Sequence, residues 1–506
     1  MLLYAFSFLC TLIHVGFTWT TIGDPSDYVN LANDAEDNAI KADYNVPLTM
    51  YLKSPLKATH SFTTNESALS ISYETISATD NDTNVILVGN GAQLNMSFVN
   101  IYKQGYFSDL AQASFFGVNA AINVQNGSRS YFDHLNVITH NGASNVYSYG
   151  NGSYVYVENS VLYSSGPAAH GLYAGGYGTI VGNYINHYSG GNRCSSFSGD
   201  LPASYVAVFN SIAHTSGIGS AIFYALGTIT AANVTGHAKR SPTLFSDGPS
   251  ISTFINCHLT AGLLGGTVIH SIKIRQKGAM VSFINSKLTT LGNTMPALWF
   301  GNIIAIAYLY KTVINTTSGI LVTANYSQIT QEFNYYAGYA DNSNLLPAIV
   351  TVTVVQCNLN GSLIAYNGSS ISWILTQYSN WSGDAYSGYE QLFISVSLDL
   401  TSTWTLTGNT ALQNISSAVV NLTNIISNGY NITYDSSSTA NDWLNESIMS
   451  LIGGGQLVPD SLLQQKQEQQ QSLVAASSAF LSQKHIFTDK KKRLYCNIYR
   501  TFHEIL

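Results

Sequence analysis

The chain has 506 residues, of which 9% are charged and 45% are hydrophobic, with 33 tyrosines and a formal net charge of −7. The many aromatic residues exclude a simply disordered chain, and the charged fraction is far below the roughly 25% of ordinary globular proteins. A surface with so few charges has to be solvated by Ser, Thr and Asn and, we expect, by covalently attached sugar.

Residues 1–18 predict a signal peptide. Leu2 to Ile13 form a twelve-residue apolar run, which suits the apolar centre of such a peptide and is short for a membrane span. No Lys or Arg precedes the run, so a short signal anchor remains the alternative. No other run approaches eighteen apolar residues, and we therefore expect a secreted protein without a stable membrane span. Residues 19–84 predict a polar entry and an N-terminal cap.

A repeat organises the residues that follow. A pattern of apolar residues around one Asn begins at "FDHLNVITH" (132–140) and returns six times, at steps of 23 to 29 residues. The repeated asparagines are Asn136, Asn159, Asn183, Asn210, Asn233, Asn256 and Asn285. A period of this length predicts a solenoid, and short β-rich runs separated by Gly, Ser and Asn predict an all-β parallel β-helix. We place the helix at 85–435 and a C-terminal cap at 436–463.

The asparagines themselves predict a structural ladder. Asn is a poor strand former, but asparagines stacked at a bend can hydrogen-bond one another and the backbone of the turn. We expect all seven to occupy one column, coil after coil.

A second column is predicted four residues after the asparagines, where His140, His187, His214 and His237 occur. Side chains on neighbouring coils lie about 4.8 Å apart, close enough for a pair to bind a transition metal or to titrate together near pH 6. The alternative is that His fills a half-exposed position that later coils give to Thr260 and Thr289. No His-x-His or carboxylate partner supports a metal, so we predict neither a metal nor a cofactor.

Fifteen Asn-x-Ser/Thr sequons predict N-glycosylation in a eukaryotic secretory pathway. A single sequon is a weak signal, but several of these fall where coil corners are expected. They are Asn65, Asn81, Asn95, Asn126, Asn151, Asn233, Asn315, Asn325, Asn360, Asn367, Asn380, Asn414, Asn421, Asn431 and Asn445.

Cysteines and the C-terminal tail are less informative. After removal of the signal, Cys194, Cys257, Cys357 and Cys496 remain, and they allow three disulfide pairings or buried free thiols. Residues 464–506 are Gln-rich and then basic, and they predict a disordered or weakly helical tail. Behind a signal peptide, its "KKKR" sequence does not make nucleic acid a partner.

Several segments resemble one family, among them "FGVNAAINVQNGSRSYFDHLNVIT", "GSYVYVENSVLYSSGPAAHGLYAGGYGTIVGN", "RSPTLFSDGPSISTFINCHLT" and "STWTLTGNTALQNI". They are similar to the secreted right-handed parallel β-helix repeat proteins of fungi and bacteria, which are pectin-lyase-like in fold and adhesin-like in character. The resemblance covers about residues 85–435. It implies a right-handed helix and carries no agreed reaction.

A carbohydrate-active enzyme is the alternative that the fold suggests. A lyase needs acidic Ca²⁺ ligands and a basic residue, and a hydrolase needs two carboxylates at a defined separation. Asp200 and Asp247 are predicted two coils apart, at about 10 Å, and Arg193 could supply positive charge. Between Gly117 and Gly301 the only acids are Asp133, Glu158, Asp200 and Asp247, and no Asp-x-Asp or Asp-Asp pair lies on one coil there, so we predict no enzyme.

We instead expect a surface or cell-wall protein with a structural or adhesive role and an extracellular polysaccharide as its partner. Eight aromatic residues either offer stacking platforms for sugar rings or pack inside the coils. They are Tyr147, Tyr149, Tyr173, Phe197, Phe223, Tyr224, Phe245 and Trp299.

Overall fold

The computed structural model is nearly all β, with 55% strand and 4% helix, and forms a right-handed parallel β-solenoid of about 15 turns. It describes residues 51–63, 68–166, 168–262, 265–271, 274–325, 345–387 and 392–462. The predicted fold class is therefore confirmed. The predicted signal peptide and the predicted tail lie outside the described residues.

Each regular coil has three faces, which we call A, B and C in chain order. Face A is a 13-stranded parallel sheet. Its strands are Lys57–Phe62, Thr83–Val88, Ile122–Gln125, Val146–Tyr149, Leu172–Gly175, Phe197–Gly199, Phe223–Ala225, Leu244–Asp247, Thr267–His270, Leu298–Gly301, Ile320–Asn325, Ser362–Ala365 and Ala385–Ser387.

Face B follows face A in each coil. Its strands are Leu69–Ser72, Gln93–Ser97, Arg129–Asp133, Tyr205–Phe209, Thr228–Ala232, Ile251–Ile255, Gln276–Ile284, Ile303–Tyr310, Ile349–Val355, Ser370–Thr376, Ile394–Leu398 and Asn414–Ser417. Two long strands, Tyr154–Ser164 and Thr179–Ser189, run through the corner and belong to both face B and face C.

Face C closes the coil. Its strands are Thr75–Ala78, Asn100–Lys103, Asn136–Thr139, Ile212–Ile218, Thr235–Arg240, His258–Ala261, Lys287–Thr290 and Val313–Thr316, and in the last coils Asn358–Asn360, Asn380–Gly383, Thr403–Leu406 and Ile425–Ile426. The remaining strands are Thr410–Leu412, Ile432–Tyr434, Met449–Ser450 and Gln456–Pro459.

The core lies inside the coils because alternate residues of each strand point inward. Strand Thr228–Ala232, for example, buries Ile229 and Ala231 completely. Rings pack on one another in the interior: Phe254 and Phe283, Cα partners on face B, stack with centroids 5.0 Å apart. Phe223 of face A meets Phe254 across the core with centroids 4.9 Å apart and the rings tilted. The repeated apolar spacing therefore builds one continuous core.

The coils begin and end at different residues than the sequence predicted. Strand Lys57–Phe62 already pairs in parallel with Thr83–Val88, so the first coil precedes residue 85. At the other end Gln456–Pro459 still pairs in parallel with Ile432–Tyr434. On its other edge Gln456–Pro459 pairs antiparallel with Met449–Ser450, which covers the edge on which a further coil would otherwise stack.

Two short helices accompany the coils, the α-helix α1 at Leu110–Phe116 and a 3₁₀ helix at Thr439–Leu444. Helix α1 begins at the N-cap Asp109, whose side chain accepts the Gln112 N–H, and ends at Gly117 in the left-handed region. It covers the outer side of face A, where the Tyr147 hydroxyl donates to the Ser114 carbonyl at 2.9 Å. Among the described residues, no helix is long and apolar enough to cross a membrane.

The packing of Phe254 between the rings of Phe223 and Phe283 gives a test of the core. We expect Phe254→Ala to lower the free energy of unfolding by about 3–5 kcal/mol, because it removes a fully buried ring between two others. Phe254→Leu is the control and should cost much less, since it leaves a smaller cavity. Urea denaturation followed by tyrosine and tryptophan fluorescence measures both, and a loss below about 1 kcal/mol for the alanine variant would contradict the packing.

Candidate functional site

The corner between faces B and C is the first predicted site. Asn159, Asn210, Asn233, Asn256 and Asn285 each occupy it with a positive φ between 48° and 56°, a conformation that Asn adopts more readily than most residues. The Asn233 amide donates to Asn210 Oδ1 at 3.0 Å, and the Asn256 amide donates to Asn233 Oδ1 at 3.3 Å. These side chains form a hydrogen-bonded ladder along the corner.

Asn136 and Asn183 do not share this position, contrary to the prediction. Asn136 is the Cα partner of Val161, inside face C, and its amide donates to Asn100 at 3.1 Å. Asn183 lies one residue before the corner residue Tyr184, although its Oδ1 still accepts the Asn210 amide at 3.0 Å. Spacing along the chain does not reveal such shifts of one or two residues within a coil.

A second ladder, which the sequence analysis missed, follows the corner by one residue. Ser160 Oγ accepts the Leu135 N–H at 2.9 Å, and Ser286 Oγ accepts the Cys257 N–H at 3.0 Å. Cys357 Sγ takes the same place and accepts from Thr312 at 3.2 Å. In the sequence this ladder could have been found from the Ser or Cys that directly follows a repeated Asn.

The cysteines of the described coils are free thiols. Cys194, Cys257 and Cys357 are buried and form no disulfide, and Cys496 lies outside the described residues. Burial raises the pKa of Cys257 to about 11, so this thiol stays protonated and unreactive at neutral pH. The three coil cysteines therefore act as core residues.

The predicted histidine column divides between the two sides of the wall. His214 and His237 are Cα partners, with ring centroids 6.1 Å apart. His187 lies opposite Ala213, is fully buried, and its Nε2 lies 3.2 Å from Ser164 Oγ. His140 Nδ1 lies 3.0 Å from Ser165 Oγ.

A shift of one residue reverses the side of a strand residue, which separates His187 from the others. No group of three or more His, Cys, Asp or Glu residues in the described ranges could hold a metal ion. Of the four predicted histidines, only His214 and His237 therefore remain as a pair that could bind one metal ion together.

The outer side of face A carries a stack of aromatic rings. Tyr147, Tyr173, Tyr224, Phe245 and Trp299 share one register column, interrupted by Ser198 and Val268. The rings of Tyr147 and Tyr173 stack at 4.6 Å, and those of Tyr224 and Phe245 at 5.7 Å.

Histidines fill both interruptions of this stack. His170 lies 4.9 Å from Tyr173 and 6.5 Å from Tyr224, between centroids. His270 lies 4.7 Å from Phe245 and 6.5 Å from Trp299. Because Tyr147, Tyr173, Phe245 and Trp299 are at most 8% exposed, these predicted sugar platforms are packed rings.

Two others, Phe197 and Phe223, lie inside the coils at 0% exposure. Tyr224, which belongs to the stack, and Tyr149, which lies beside it, are half-buried. None of the eight aromatic residues predicted as platforms therefore presents a fully open ring face.

The predicted carboxylates also lie on the outer side of face A. Asp200 follows Gly199, whose partners on the next two coils are Ala225 and Ser246, so Asp200 and Asp247 lie two coils apart as predicted. Asp200 is 4% exposed, and the Tyr173 hydroxyl and the Leu201 N–H donate to it.

Burial raises the pKa of Asp200. Arg193, the predicted cation, is also buried, at 9% exposed. A substrate would have to displace Tyr173 to reach the Asp200 carboxylate, so this pair does not line an open cleft.

A more accessible site lies on the outer side of face B, across the first four coils. It is a depression of about 300 Å³, which we call the face B trough. Its lining residues are Ser70, Ser72, Asn95, Met96, Ser97, Tyr131, Phe132, Asp133, Tyr156 and Glu158. The first two coils contribute small polar side chains to this lining, and the next two contribute the tyrosines and the carboxylates.

An aromatic ridge borders this trough. Tyr73, Phe98 and His134 occupy the corner that five of the repeat coils give to Asn, and all three have a positive φ of 53° to 60°. Their rings stack, with centroids 5.1 Å apart for Tyr73 and Phe98 and 4.6 Å for Phe98 and His134. Tyr73 is 80% and Phe98 45% exposed, so the ring edges of the ridge reach the surface, while Tyr73 and His134 cover the two faces of the Phe98 ring.

The carboxylates of the trough lie side by side, since Asp133 and Glu158 are Cα partners. Burial acts to raise the pKa of Asp133, but hydrogen bonds from Asn159 and His134 outweigh it and lower the pKa. The Asn159 amide donates at 2.9 Å and His134 Nδ1 lies at 2.7 Å. Glu158 accepts the Tyr156 hydroxyl at 3.2 Å.

Sequence reasoning missed that the register makes these two acids neighbours. It missed the exposed ridge as well, because no Asn marks the corner there.

The fold defines the class of protein as a right-handed parallel β-solenoid. Comparison with family models, with curated proteins and with solved structures finds no match for the chain. The further assignment therefore rests on the chain's own residues.

Buried histidines predict sensitivity to acid. Desolvation lowers the pKa of His170 and His270 to about 4 and that of His187 to about 3, against about 6.5 in an unfolded chain. The unfolded state then binds more protons below pH 6.5, so stability is complete above that pH and falls towards pH 4. The loss is about 3 kcal/mol for His170 alone, offset in part by Asp200, whose raised pKa acts in the opposite direction.

Thermal melts at pH 7, 6, 5 and 4 measure this loss. His170→Asn should flatten the profile, because it removes one of the buried rings that titrate. The Asn oxygen can replace Nδ1 as the acceptor of the Ser195 N–H. His258→Asn, at an exposed position, is the matched control and should keep the wild-type profile. An equally steep profile for both variants would contradict the assignment.

Proposed function

We propose that this protein is a secreted, N-glycosylated surface or cell-wall protein with a structural and adhesive role. The observation that carries the proposal is the position of the sequons in the solenoid. Asn65 lies outside the described residues, and the other fourteen sequon asparagines are all at least partly exposed.

Asparagines outside sequons behave differently. Seven of them are buried in the described coils, namely Asn84, Asn119, Asn123, Asn145, Asn302, Asn424 and Asn441. The interior of this solenoid therefore accepts Asn readily, yet it contains none of the described sequons. This separation is what a chain that carries sugar on its sequons requires, because a buried Asn-linked glycan has no room.

The shape and composition support the same role. About 15 stacked coils form an elongated body whose surface has few charges, so attached sugar supplies solvation that Lys and Glu supply elsewhere. The face B trough gives such a body a place that can hold carbohydrate, and the proposed partner of the protein is cell-wall or extracellular polysaccharide.

Glycosylation is directly measurable. Secreted from a yeast host, the chain should run well above its 54.7 kDa and shift down after enzymatic deglycosylation under denaturing conditions. Peptide mass spectrometry should find glycan at most of the eleven fully exposed sequons. Retention of the chain inside the cell, or bare asparagines throughout, would refute the proposal.

A glycoside hydrolase acting at the face B trough is the second candidate. The observation that favours it is the pair Asp133 and Glu158 on adjacent strands at the end of a depression. Strand spacing is about 4.8 Å, which is near the carboxylate separation of about 5–5.5 Å in retaining glycosidases.

Assays on pectin, alginate and β-glucans separate the two candidates. If the protein is a hydrolase, Asp133→Asn and Glu158→Gln should each reduce the activity at least 100-fold, while Asp200→Asn, in a closed network, should not. If it is the non-catalytic protein that we propose, the wild-type chain releases no reducing ends from any of these polymers.

A further inference from the structure

We propose that the glycan attached to Asn95 lies along the face B trough, so that the trough is filled by the chain's own sugar. The inference rests on the proposed function, because it requires glycosylation in the secretory pathway. It concerns one sequon and one place on the surface.

Asn95 is the sequon that lines the trough. It lies within strand Gln93–Ser97, where its side chain points outward and is partly exposed. Its Cα partners are Ser70 on the preceding coil and Tyr131 on the following coil. The first sugar attached to Asn95 Nδ2 therefore lies inside the depression.

The Asn95 amide is available for the bond. Within the described part of the chain, no hydrogen bond engages its side chain. The sequon asparagines Asn233 and Asn380, in contrast, donate from the same Nδ2 atom to neighbouring asparagines. Asn95 can carry a glycan without giving up a ladder contact.

An exposed ring lies beside the first sugar. Tyr131 is 47% exposed on the adjacent strand, about 4.8 Å away, and its Cα partner on the next coil is Tyr156. One face of a pyranose ring presents C–H groups, which pack on aromatic faces that water hydrates poorly. These two tyrosines of the trough lining thus provide the apolar contacts for an N-acetylglucosamine.

Acceptors lie further along the trough. Asp133 lies one coil and Glu158 two coils beyond Asn95, both two residues further along the strand, so Glu158 is about 12 Å away, within reach of a disaccharide attached to the Asn95 side chain. Carboxylates accept hydrogen bonds from the hydroxyl and amide N–H groups of a neutral sugar. A depression of about 300 Å³ corresponds to the smallest ligand pockets, a size that suits the two core sugars and not a long chain.

Native digestion with endoglycosidase H, which cuts between the two core N-acetylglucosamines, tests the inference. The protein is secreted from a yeast host, and peptide mass spectrometry follows release at Asn95, Asn126 and Asn151. The last two are exposed Asn-Gly-Ser sequons on neighbouring coils and serve as internal controls. We expect release at Asn95 to be at least tenfold slower than at either corner.

Substitutions show whether the trough causes the protection. In Tyr131→Ala and in Tyr156→Ala, which each remove a ring from the trough lining, the tenfold difference should fall to about twofold. Tyr177→Ala removes an exposed tyrosine that does not line the trough and should leave the difference unchanged. Two variants are used because a folding defect in one leaves the other as a test.

The outcomes separate this inference from the proposed function. Equal release at the three sites, or protection that survives both trough variants, overturns the inference and leaves the trough open to external saccharides. A bare Asn95 in a chain whose corners carry glycan also overturns it. Absence of glycan at every sequon refutes the proposed function itself.

Discussion

Parallel stacking of one coil on the next is the constraint on which the rest of this structure depends. Each strand takes its hydrogen-bond partners from the coils before and after it, so every residue inherits a column and a side of the wall. Inward columns become core, as in the stack through Phe254, and outward columns become surface. The corners are the positions where the chain can change direction without losing a backbone bond, and Asn, Ser and Cys stabilise them through side-chain hydrogen bonds.

The columns also distribute chemistry unevenly around the coil. On face A the outer aromatic rings stack on one another and close over His170 and Asp200, which makes that side rigid and dry. On face B the first two coils carry small polar side chains, the next two carry tyrosines, and a depression lies across them. Carbohydrate chemistry is therefore favoured at the face B trough, and the buried groups of face A contribute to stability and to its dependence on pH.

Glycosylation links these features to the proposed role. Few charges on the wall, sequons that are at least partly exposed wherever the structure describes them, and one sequon inside a trough are the features that the proposed role requires. The ridge of Tyr73, Phe98 and His134 is one stretch of the corner without Asn, and it borders that trough.

The sequence by itself determined the repeat, the all-β class and the corner position of five of the seven repeated asparagines, because a period of 23 to 29 residues and the left-handed preference of Asn are local properties. It left the pairing of strands undetermined, since a shift of one residue moved His187 inside and a shift of two residues took Asn136 out of the corner. Only the tertiary structure brought Asp133 beside Glu158 and closed Tyr173 over Asp200. Those contacts join residues on different coils, and their register is set by where each turn is placed.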